Sequence, residues 1–178
     1  MESAIVFSLM FLTLFAILEF GLAFKDWLSV SHATREGARA GATFGDDPSS
    51  DIKVLDGVEA TLGPMGLAAG DRVRIFRANS PSPSESQIYA YAPSFDCSDP
   101  MGMFPAGDCC DWSPCPEFGR TNYTVPGWDP TTRDITAPVT DRIGVEIQFT
   151  HNWVTGFFGS TLDLTTVTDF QIEPQLFE

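Results

Sequence analysis

MESAIVFSLMFLTLFAILEFGLAF, residues 1–24, holds only two charges, Glu2 and Glu19, and none at all from Ser3 to Leu18. At about 1.5 Å per residue such a helix spans roughly the 30 Å of a bilayer's hydrocarbon. An apolar run of this length has to be covered, by lipid or by other protein. A bare carboxylate in hydrocarbon costs several kcal/mol, so the two acids at its ends call for a cation or a polar boundary.

Working outward, FKDWLSVSHATREGARAGATFGDD (24–47) keeps helical periodicity to about Thr43 while its residues shrink. Ala33, Gly37, Ala38, Ala40, Gly41 and Ala42 form a surface smooth enough for close backbone approach, with Arg35 and Glu36 on the other side. Gly45-Asp46-Asp47-Pro48 ends the helix, because proline disfavours helical geometry in the residue before it. Ser49, Ser50 and Asp51 are N-cap candidates for a second helix, DIKVLDGVEATLG (51–63), which repeats Ile52, Leu55, Val58 and Leu62 on one face.

DRVRIFRA (71–78) alternates Val73 and Ile75 with Arg72, Arg74 and Arg77, the pattern of a half-buried strand. Residues 79–140 are irregular, with a short strand expected at QIYAYA (87–92). IGVEIQFTHNW (143–153) alternates Ile143, Val145, Ile147 and Phe149. TLDLTTVTDFQIE (161–173) alternates Leu162, Leu164, Val167 or Thr168, and Phe170, with VTGFFGS between as a turn or short apolar connection. The expected class is α+β: a long N-terminal apolar helix over residues 1–45, then one small head over 46–178 with an antiparallel sheet and a disulfide-stapled insertion at about 79–140.

The formal charge of −14, with only ten Lys and Arg, excludes a phosphate-binding role towards nucleic acid and disfavours anionic lipid headgroups. Cys97, Cys109, Cys110 and Cys115 cluster in an aspartate- and proline-rich stretch, which reads as a disulfide staple of an oxidising compartment. Adjacent cysteines followed by a four-residue gap match no common zinc spacing. Each of Cys109 and Cys110 is expected to pair with Cys97 or Cys115, a bond between neighbours needing a strained ring. Asp96, Asp99, Asp108 and Asp111 lack the spacing of a calcium loop, and Asn122-Tyr123-Thr124 is an N-glycosylation sequon. Trp112, Tyr123 and Trp128 suit either contact with a surface or loop packing. His32 and His151 have no nucleophile or metal motif around them, so neither catalysis nor a bound metal or cofactor is expected.

Three stretches together carry a resemblance: Glu2 ahead of the apolar run, ILEFG at 17–21, and TREGARAGA at 34–42. The chain resembles the TadE-like family of pilin-like proteins, associated with the tight-adherence branch of type IV pili, and differs from it in carrying Ser8 where the family has proline. The carboxy-terminal strands and apolar connection are also similar. The resemblance implies a structural subunit whose helix is transmembrane before assembly and packs against copies of itself in an extracellular filament afterwards. It also implies a basic leader ahead of Glu2 that a prepilin peptidase removes from a longer precursor, and contact with the pilus assembly machinery. Two alternatives stay open: a minor or priming subunit of the same machinery, and a single-pass anchored adhesin that binds a ligand through its cysteine-rich loop.

On this reading Glu2, Phe7, Phe11, Phe15, Glu19 and Gly21 are the expected assembly residues. Glu2 is expected to meet the amino terminus of a neighbouring subunit. Glu19 has Lys25, a neighbour's basic residue or the polar interface open to it, and Gly21 is a point where the helix could bend or melt.

Overall fold

The structure, a computed structural model, describes residues 2–67, 71–80, 85–91, 118–120, 128–136 and 138–174. The cysteines, Asp96, Asp99, Asp108, Asp111, Trp112, Asn122 and Tyr123 lie outside the described residues, and with them the staple, the ion ligands and the sequon. Met1 and the side chain of Glu2 lie outside them too.

Helix α1 runs from Glu2 to Phe44 and passes through Gly21 without interruption. Gly45, at φ +49°, reverses the chain, a conformation that costs a residue with a Cβ more than it costs glycine. Asp47 then accepts from the amide of Ser49 at 2.7 Å and from its hydroxyl at 2.6 Å, and these bonds hold its carboxyl below the usual range. Helix α2, Ser50–Leu62, buries Ile52, Val54, Leu55, Val58 and Leu62. Two faces of the small-residue stretch on α1 are used at once. A Cβ on Gly37 would lie 2.9 Å from Val58 Cγ2 and 3.6 Å from Val145 Cγ1; one on Gly41 would lie 3.0 Å from Val54 Cγ2 and press on Ile143.

Five strands follow: β1 (Arg72–Arg77), β2 (Ser86–Tyr91), β3 (Phe118–Arg120), β4 (Arg142–Asn152) and β5 (Thr161–Gln171). They pair antiparallel in the order β3-β2-β1-β4-β5, so that the long insertion returns β4 to the free side of β1. The helices cover one face. Val73 and Ile75 of β1, Tyr89 of β2, and Ile143, Val145, Ile147 and Phe149 of β4 meet Val30, Ala33, Ala38 and Ala42 of α1 and the buried face of α2 in a single core.

Strand β5 keeps the expected face and settles its open position in favour of Thr168. Leu164, Thr166 and Thr168 are half-buried towards the helix, whereas Val167 is exposed on the other side and Leu162 and Phe170 stay exposed near the ends. A polar contact lies at its centre: Thr34, fully buried, donates to Val30 O at 2.7 Å, and its hydroxyl meets that of Thr166. Thr166 gives this hydroxyl a second partner beside Val30 O, which a larger apolar residue would remove.

The 128–136 segment is tied down by Arg133. Its guanidinium is buried, forms an ion pair with Asp51, donates to Ser50 Oγ at 2.9 Å and lies 4.6 Å from the centre of the Trp128 ring. Trp128 therefore packs in the head, and the contact with an outside surface left open for it is not how it is used.

Candidate assembly and anchoring surface

From Ile5 to Leu18 every side chain of α1 is exposed except Ala16, which is half-buried. Phe7, Phe11 and Phe15 follow one another at four-residue steps down one side of this bare segment, an exposed apolar ridge. By length and composition the helix can cross a membrane.

The bare segment ends at Glu19. The sequence offers this acid Lys25, a neighbour's base or the polar interface; the structure gives it backbone donors from its own head. Val154 N–H donates to Glu19 Oε2 at 3.1 Å, Thr155 N–H donates to Oε1, and the carboxylate is fully buried between helix and hairpin. Charge-assisted bonds to two amides answer the charge without a cation.

Val154 and Thr155 belong to the turn between β4 and β5. Trp153 N–H donates to Ser160 O at 3.1 Å and Gly159 N–H to Gly156 O at 3.3 Å, closing a loop whose two glycines sit at φ +72° and +113°. Its aromatics pack on the helix: Phe20 lies 5.8 Å from Trp153 and 5.0 Å from Phe158, centre to centre, and Trp153 meets His151 edge-on at 5.0 Å. One step further up, His151 Nδ1 lies 2.6 Å from Asp26 Oδ2. This histidine is buried between the helix and the sheet.

These contacts give β4 a direction. Ile143 faces Gly41, Val145 faces Gly37, His151 faces Asp26, and Val154 and Thr155 face Glu19, so β4 descends antiparallel to α1 towards the apolar end. The two paths match in length, at about 33 Å of helix and about 36 Å of strand for standard rises.

The family model described as TadE-like protein matches residues 1–39. The TadE-like segment thus takes in the whole bare stretch, Glu19 and half of the small-residue surface, Ala33, Gly37 and Ala38. Comparison with the curated proteins and with the solved structures finds no match.

Of the expected residues, Phe7, Phe11 and Phe15 lie on the bare TadE-like segment, Gly21 is exposed with no neighbour near its Cβ position, and Glu19 closes on the head. What sequence reasoning missed is the turn at Trp153–Ser160 as the partner of Glu19. The available signal was an uncharged run from Trp153 to Leu162 with two glycines around Phe157-Phe158. Glu19→Gln is expected to weaken this closure, since an amide offers one acceptor where the carboxylate offers two. Exchange at the Val154 and Thr155 amides, followed by hydrogen–deuterium exchange, should accelerate about tenfold while the core strands are unchanged.

Proposed function

We propose that the chain is a membrane-anchored, pilin-like structural subunit of tight-adherence pilus machinery, acting by association and not by turnover. The match of residues 1–39 to the TadE-like family, on a helix whose apolar half stands clear of its own head, carries this reading. Lipid holds the bare segment before assembly, and copies of the same helix replace lipid in an extracellular filament. Glu2 makes the exchange selective: unpaired it is unfavourable in an apolar core, whereas opposite a neighbour's free amino terminus its charge is answered. The assembly machinery, and a prepilin peptidase that frees that terminus, are the other partners.

Glu2→Ala should leave membrane insertion intact and lower the recovery of sheared surface filaments at least about tenfold, the scale of losing one charge-assisted contact in each subunit. Negative-stain microscopy with mass spectrometry of the sheared subunit measures this and reads the mature amino terminus. Undiminished filaments from the variant would remove Glu2 from assembly. A trace quantity of the chain in filaments built of another protein would make it a minor or priming subunit.

A further inference from the structure

The β4–β5 turn presents apolar side chains to the outside at the level where the bare helix begins. Val154 and Phe157 are each 70% exposed and Phe158 47%, although the rest of β4 buries its apolar residues in the core. No charge occurs between Trp153 and Leu162. The turn is not a swinging loop: two amides on Glu19 and the Phe20–Trp153–Phe158 cluster fix it against the helix.

We propose that this turn is a second membrane contact, seating Val154 and Phe157 in the interfacial zone of the leaflet that α1 leaves. The proposal rests on reading α1 as a membrane helix. Three observations choose lipid as the occupant. β4 descends along α1, so its tip points towards the apolar end and reaches the level of Glu19, next to the last of the uncharged run. Exposed apolar side chains lie on both sides of the junction, Phe15 and Leu18 on the helix and Phe157 and Phe158 on the turn, and Phe20 packs on Phe158. Around it stand Phe24 and Trp27, exposed and stacked at 5.8 Å, which with Trp153 form the aromatic collar found where helices leave a bilayer.

Buried Glu19 then lies at the boundary with its charge answered by amides, so the head meets the membrane without presenting a bare acid to it. Lys25 is the only cation between Glu2 and Arg35. The contact is accordingly apolar, suited to uncharged or zwitterionic headgroups rather than to anionic ones.

The test places benzoylphenylalanine singly at position 11, 157 or 167 of the full chain, reconstituted in phosphatidylcholine vesicles and irradiated. Position 11 reports the helix, and position 167, exposed on β5, reports the free head. The expected result is lipid adducts at 11 and 157, severalfold above those at 167, with the same pattern when the label moves from 157 to 154. Lipid adducts at 11 without any at 157 or 154 would overturn the second contact while leaving the anchor. Adducts of 157 to another copy of the chain would overturn it in favour of a protein interface. Absence of lipid adducts at 11 would overturn the anchoring of α1, and the second contact with it.

Discussion

Arg133→Ala is expected to destabilise the head by about 3–5 kcal/mol, the cost of breaking a buried ion pair and stranding one charge. Asp51 is that charge. It is buried, and without the guanidinium it keeps, among the described residues, the hydroxyl of Tyr89, which donates to it at 2.7 Å. The same substitution removes the donors to Ser50 Oγ and Gly45 O and uncovers the Trp128 ring. Domains of this size hold about 5–15 kcal/mol in total, so the loss is a large share. Denaturant titration of the detergent-solubilised chain, followed by near-ultraviolet circular dichroism, measures it. Adding Asp51→Ala to Arg133→Ala should recover part of the loss, because the stranded charge goes with it. If Arg133→Ala melts like the parent, the guanidinium does not hold the 128–136 segment to α2.

Gly41→Leu should be nearly as damaging, at about 1–3 kcal/mol or more for overpacking. The Cβ alone would press on Ile143 and lie 3.0 Å from Val54, both fully buried and branched. A leucine there forces α1 away from α2 and β4 together, which loosens the sheet contacts on either side of it. Gly41→Ala is expected to show a smaller loss in the same titration. Coupling separates this clash from a simple helix-propensity effect: Ile143→Ala should cost several kcal/mol in the parent and distinctly less in the Gly41→Leu background. Additive losses would mean that the crowding is relieved elsewhere.

The elements of this fold that rest on local periodicity were legible from the chain. The long helix ends at Phe44 against an expected Thr43, α2 and β1 fall within a residue or two of their expected bounds, and both long C-terminal strands are where alternation puts them. The parts that escaped depend on contacts distant in sequence. Glu19 meets Val154 across 135 residues, and Arg133 meets Asp51 across 82. Thr166 meets Thr34 across 132 residues, a pairing that no pattern within β5 can announce. β3 is three residues long and pairs only with β2, too short for a period to show. The bare apolar segment of the helix was legible from its uncharged run, whereas the partner of Glu19 is an uncharged turn whose amides leave no mark in side-chain chemistry.

The matched descent of α1 and β4 has a mechanical consequence. Contacts occur at Gly41, Gly37, Asp26 and Glu19, over more than six turns of helix, so head and helix cannot twist independently about the helix axis. Whatever fixes the azimuth of the bare segment, whether lipid or a ring of sister helices, fixes the direction in which the acidic head faces. A rotation of about 100° per residue of register slip at the foot would swing the head through the same angle. The direction of the head is therefore geared to whatever its lowest turns pack against.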